Sequence, residues 1–249
     1  MSDYDRGLPR AVPATGDMAL DAGLRGFMLG VYNKMALGLI LSAALAYVTA
    51  FVPAVRDQLY LVDGAGRLVR PTLLGTVIGF APLAVLLISS FAMRNPTARG
   101  ANALYWVVVT LIGAGLGVWA LLYTGASIAV TFLVTASAFG ALSLFGYATK
   151  KDLTGWGNFL FMALIGIVVA MLVNVFVHSP AVNFAVNVLG VLIFAGLTAY
   201  HTQRLKMSYY ALSGNGAAMS VATSYGALSL YLDFLNLFLF ILRMTGSRR

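Results

Sequence analysis

Residues 225–244 read YGALSLYLDFLNLFLFILRM. The run matches the roughly 20 residues a helix needs to cross a bilayer, and it is apolar over most of its length, with Asp233 near its middle. On insertion scales a carboxylate there costs on the order of 2.5–3.5 kcal/mol, so it needs a partner or a task. With 3.6 residues per turn, Ser229, Asp233 and Asn236 share one face, while leucine and phenylalanine cover much of the remainder. That face is expected to point at protein or water, not at lipid.

The rest of the chain has the same character. Of its 249 residues, 60% are hydrophobic and only 10% charged, against about a quarter charged in a soluble domain. Six further stretches have spanning length, at 27–52, 72–93, 102–123, 127–147, 159–177 and 182–200. The expected architecture is an all-α membrane protein, a seven-transmembrane helical bundle over 27–244. It is preceded by a polar tail at 1–26, expected to be mobile, and followed by a basic tail at 245–249. The leading segment holds Asp3, Asp5, Asp17 and Asp21 without a short apolar core, so it does not read as a cleavable signal. In the longest connection, LYLVDGAGRLVR places Asp63 and Gly64 between semi-apolar flanks, the pattern of a small hairpin. HSPAVN at 178–183 is short enough to force its two helices antiparallel. Gly113 and Gly117 have the spacing of close helix packing, and Pro82 marks an expected kink.

The net charge of +8 reflects lysine and arginine in short loops and at the termini, as the positive-inside rule requires, so nucleic acid is not an expected partner. Arg94 and Arg99, Lys150 and Lys151, and Arg204 and Lys206 mark alternate loops and put the N-terminus in the cytoplasm. Arg56, Arg67 and Arg70 in the first loop, and Arg243, Arg248 and Arg249 at the end, resist that alternation. A last segment that enters and returns on one side would remove the second conflict. The side of the C-terminus stays open at this level.

All eight acids are aspartates, and only Asp233 lies well within a span. Its candidate counter-charges are His201 and Arg204, one turn apart at the end of the sixth span in FAGLTAYHTQRLK, and Lys34, which can equally snorkel to the interface. The alternative to a functional acid is a structural pair with one of these three. Enzymatic constellations fail. Cysteine is absent, no second carboxylate completes an aspartyl dyad, HExxH is missing, and His178 sits at the far end of the bundle from His201. Ser229, His201 and Asp233 contain the elements of a hydrolytic triad, but these types co-occur by chance in many helices. The chain reads as a non-enzyme without cofactor.

FMLGVYNKMALGL, FGYATKKDLTGWGNFLFMALIGIVVAMLVN, GVLIFAGLTAYHTQRLK and GALSLYLDFLNLFLFILRM together closely resemble the bacterial branch of the Bax inhibitor (TMBIM) family, over almost the whole chain. The resemblance implies a bundle with the last helix central and a pH-modulated calcium leak. It further implies two aspartates, on the sixth and seventh helices, that share a proton and gate the pathway. The second corresponds to Asp233, but the first falls on His201, since the motif here is AYHTQ. Two close carboxylates repel, whereas a histidine facing a carboxylate favours the charged form of both. Three behaviours follow for the pair: an imidazolium–carboxylate bridge that opens only in alkali, a neutral histidine that is itself the pH switch, or a permanent latch without leak. The histidine also removes two oxygen donors of the kind Ca²⁺ prefers, leaving Asp233 as a transient ligand.

The resulting expectation is a multi-pass protein of the bacterial inner membrane that leaks a cation, Ca²⁺ foremost. Asp233 and His201 form the gate and pH sensor, and Arg204, Ser229, Asn236 and Lys34 supply supporting charge and polar surface. The alternative, also implied by the family, is a non-conducting modulator of the membrane-anchored AAA protease FtsH or another quality-control partner, with residues 1–26 as its handle.

Overall fold

The computed structural model describes residues 14–249 apart from Arg94 and Ser213. In chain order the elements are α1 (Ala14–Phe51), α2 (Pro53–Leu59), β1 (Tyr60–Val62), β2 (Leu68–Pro71), α3 (Leu73–Ala92), α4 (Ala98–Gly115), α5 (Gly117–Leu122), α6 (Gly125–Ala148), α7 (Thr154–Val177), α8 (Pro180–Leu212) and α9 (Gly216–Thr245). Among the described residues, seven helical stretches are long and apolar enough to span a membrane, the third being α4 and α5 together. Of the leading segment 1–26, residues 1–13 lie outside the described residues, and α1 already runs from Ala14.

Polar caps begin several spans. The hydroxyls of Thr72, Thr97 and Thr124 accept from the amides of Gly75, Gly100 and Ser127, at 3.1, 3.1 and 3.3 Å, and the Asn215 side chain accepts from Ala218 at 3.0 Å. Each satisfies an amide that the first helical turn leaves without a backbone acceptor. Between α7 and α8, His178 adopts a left-handed conformation (φ 53°) and Pro180 opens the next helix, which reverses the chain within two residues. The expected hairpin exists as β1 and β2, paired antiparallel. Its turn is held by the Asp63 carboxylate, which accepts from the amides of Ala65 and Arg67 at 2.9 and 2.8 Å. The positive φ of 74° falls at Gly66 rather than Gly64.

Burial separates the helices sharply. In α9, 67% of the apolar window is buried, against 6% in α3 and 11% in α7. The last helix is therefore central, packed against α8, α1, α4 and α6, as the family resemblance implies. Leu230, Tyr231, Phe234 and Phe238 of α9 meet Val31 and Met35 of α1, Tyr105 and Val108 of α4, and Phe139 of α6 in one core. Outward-facing residues such as Phe91 and Phe176 are 80% and 85% exposed, a surface suited to hydrocarbon rather than water.

The GxxxG pair packs as expected. A side chain at Gly113 would run into the Ser42 backbone of α1, and one at Gly117 into Thr49 one further stretch along the same helix. The same run also interrupts the span at Leu116, between α4 and α5. One carbonyl just before the break, that of Ala114, accepts from the Tyr60 hydroxyl at 3.3 Å.

The start of α1 and the end of α9 lie at opposite ends of the bundle. The start of α1 lies by the α8–α9 connection, where Phe27 meets Tyr209. The end of α1 lies by the end of α9, where the Arg249 guanidinium sits over Phe51. α9 is one continuous helix, so it does not enter and return, and α1 and α9 run parallel. The tail is bound rather than loose: Arg249 N donates to Leu122 O at 3.0 Å and Thr124 N to Ser247 O at 3.1 Å. Its arginines rest on rings, Arg243 on Trp119 and Arg248 on Tyr123. Positive charge at this end is thus accommodated by aromatic faces at the span boundary.

Candidate functional site

α8 continues twelve residues beyond the expected end of the sixth span, and this polar extension divides by face. On one side Gln203 accepts from Leu153 N at 2.8 Å and donates to Lys151 O at 2.7 Å, while Lys206 Nζ donates to Tyr147 O at 3.0 Å. These bonds fasten the α6–α7 connection to α8. The opposite side carries His201 and Arg204 toward α9.

His201 Nδ1 lies 2.6 Å from Asp233 Oδ2. Asp233 is 2% exposed, and the His201 side chain is 11% exposed. Rings flank the imidazole, Tyr200 at 5.3 Å and Phe161 at 5.9 Å between centroids. Among the described residues the only other ion pair joins adjacent residues, Arg56 and Asp57. The intramembrane acid therefore has one partner on the neighbouring helix, His201, the residue that the resemblance sets against the family's first aspartate.

Next to this pair is a cavity of about 280 Å³ lined by His201, Arg204, Ser208, Tyr225 and Ser229, among others. It has room for water and polar groups to meet it, so the histidine end of the pair has a polar approach while the carboxylate end faces the core. Arg204 is exposed at this cavity and makes no ion pair with Asp233.

Two of the anticipated supporting residues lie elsewhere. Asn236 donates to Leu232 O at 2.8 Å, a bond back into its own helix. Lys34 donates to Asn102 Oδ1 at 2.6 Å and to Ser224 Oγ at 2.7 Å, and sits over the Tyr105 ring. Since Ser224 precedes Asp233 by nine residues, Lys34 engages α9 about 13.5 Å away along the helix axis. It is neither a counter-charge for the acid nor a freely snorkelling lysine. A link absent from the sequence reading joins α1 to α9 as well: Tyr231 hydroxyl and Ser42 Oγ are 2.6 Å apart, both buried, and Ser42 in turn donates to Val109 O at 3.3 Å.

Among the described residues no three histidine or acidic side chains converge in a way that would hold a metal ion. One carboxylate cannot build a calcium cage of six to eight oxygens. What the arrangement can do is hold or release one proton between two helices, and thereby fix or free the charge on Asp233.

Residues 24–249 match the family model described as inhibitor of apoptosis-promoting Bax1. The chain is 61% identical to an uncharacterized protein of Caulobacter vibrioides over 100% of both chains. It is 44% identical to the inner membrane protein YbhL of Escherichia coli K12, over 92% of this chain and 94% of that one. An uncharacterized membrane protein of Streptococcus pyogenes is 34% identical over 91% and 94%. With seven spanning helices and the last one central, the chain belongs to the Bax inhibitor family of multi-pass membrane proteins.

Proposed function

We propose that this protein is a pH-sensitive cation leak, with Ca²⁺ the expected ion, and that the His201–Asp233 pair is its gate. The observation that carries this reading is the 2.6 Å bond between α8 and α9 made by the intramembrane acid, with a polar cavity on the histidine side. Bonded as it is, the pair closes the path, because Asp233 is buried and its charge is met by the ring. Loss of the imidazolium proton leaves the carboxylate without a counter-charge in a water-poor setting. Hydration or a passing cation then becomes its best partner. Flux is therefore expected to rise as pH rises. The N-terminus is assigned to the cytoplasm and the membrane to the bacterial inner membrane, which places the cavity toward the cytoplasm and the bound C-terminal tail on the opposite side.

The test is calcium uptake into vesicles holding the purified protein, scanned from about pH 5 to 9 to bracket ordinary histidine near 6.5. Wild type is expected to show pH-dependent flux, Asp233→Asn none above protein-free vesicles, and His201→Asp flux with a displaced midpoint. Absence of flux in wild type at every pH, with recovery in His201→Asp, would overturn conduction. The protein would then be read as a non-conducting partner of a membrane-anchored AAA protease of the FtsH type.

A further inference from the structure

At the end of the bundle opposite the His201 cavity, a second crevice of about 490 Å³ lies between α3, the α4–α5 break and the last turns of α9. Its lining is largely apolar, including Phe80, Pro82, Leu111, Ile112 and Leu239, and Arg243 lines it one turn beyond Leu239. The Arg243 guanidinium rests on two ring faces, Trp119 at 4.9 Å and Phe240 at 5.5 Å. Stacking uses the face of the guanidinium and leaves the N–H donors in its plane unfilled. Among the described residues none of them has a hydrogen-bond acceptor or a carboxylate partner, and no acid lines the crevice. Arg243 belongs to the last turn of a span, which is headgroup depth, and α3 packs on α4, α2 and β2 while keeping 94% of its apolar window unburied, so lipid borders the crevice.

We propose that this crevice seats an anionic phospholipid, with its phosphate on the in-plane donors of Arg243 and an acyl chain along the wall formed by Phe80, Leu111, Ile112 and Leu239. A partly buried guanidinium without an anion at the head of an apolar groove is complementary in charge and in polarity to that one class of molecule. Inorganic phosphate would satisfy the cation but leave the wall empty, and a zwitterionic lipid would bring its own cation to the site. The assignment is independent of whether the protein conducts.

Trp119, which lies under Arg243, supplies the readout. Full-length protein is reconstituted in vesicles of zwitterionic phosphatidylcholine containing a minor fraction of either brominated phosphatidylglycerol or brominated phosphatidylcholine, and tryptophan quenching is compared. Phosphatidylglycerol is expected to quench more deeply than phosphatidylcholine at equal fraction, and Arg243→Gln is expected to lose that difference. In detergent, phosphatidylglycerol but neither phosphatidylcholine, inorganic phosphate nor oleate is expected to raise the melting temperature of wild type. Equal quenching by the two brominated lipids in wild type overturns the proposal without any variant, as does an unchanged preference in a folded Arg243→Gln protein. Stabilisation by phosphate or oleate alone overturns the phospholipid assignment.

Discussion

Asp233 and Arg243 stand ten residues apart on one helix, and the bundle accommodates them by opposite means. The acid is met by a single titratable side chain, His201, at 2.6 Å. The base is met by two aromatic faces and, among the described residues, by no anion. A charge held by a proton-exchanging partner has a compensation that pH can remove, whereas one held by ring quadrupoles has a compensation that pH leaves untouched. If the proposed gate is right, pH acts on the middle of α9 and not on its end. The hydrogen-bonded pair sits beside a polar cavity, and the ring-stacked arginine sits at the end of the span.

The largest effect should come from breaking the paired charge. His201→Ala leaves a carboxylate buried without its partner and should cost about 3–5 kcal/mol in unfolding measurements. Asp233→Asn combined with His201→Ala should recover much of that loss, since neither charge remains, and a cycle of the two single variants and the double variant should show strong coupling. Additive effects would mean the 2.6 Å contact carries no net energy. Next in size is Arg204, a cation at the polar cavity on the approach to His201. If cations enter there, Arg204→Gln should raise calcium flux several-fold and weaken its dependence on ionic strength, while the melting temperature stays put.

At the other end of the comparison, Trp119→Leu removes one ring from Arg243 and should cost about 0.5–2 kcal/mol without moving the pH profile of flux. A displaced profile would show that the two ends of α9 communicate. The smallest effect belongs to an exposed acid. The side chain and backbone amide of Thr154 hold the Asp152 carboxyl below its ordinary value, and Asp152 Oδ1 accepts from Thr154 N at 2.8 Å. A lowered value in the folded state stabilises above the unfolded value of about 3.9 and is lost as pH falls through the folded one. Asp152→Asn should therefore lower the melting temperature slightly at neutral pH and not at all in strong acid.

The spans were legible because hydrocarbon imposes length and apolarity on each one separately, and Asp233 was legible as the single acid inside them. Their ends were less so. α8 runs on through TQRLKMSYYAL because the extension is anchored by Gln203 and Lys206 to the preceding loop, a tertiary fact that apolarity does not report. The fate of Lys34 depended on Asn102 and Ser224, and that of Ser42 on Tyr231, partners up to 190 residues distant that leave no periodic trace. The glycine run at 113–117 signalled close packing, but not the break at Leu116 or the bond from the Tyr60 hydroxyl to the nearby Ala114 carbonyl. His201 could be placed opposite Asp233 only through the family resemblance, since one turn of spacing to Arg204 gave both residues the same claim.

The central position of α9 carries a consequence for biosynthesis. The helix that fills the core follows the other six spans in the chain, and its bonds to α1, from Lys34 to Ser224 and from Ser42 to Tyr231, close loops of 190 and 189 residues. Until then six spans wait in the bilayer with the hydroxyl of Ser42 and the ammonium of Lys34 lacking their α9 partners, and His201 lacking its acid. A chain truncated before α9 lacks the helix that fills the core and the partners of Lys34, Ser42 and His201, so it is expected to be turned over faster than the full bundle.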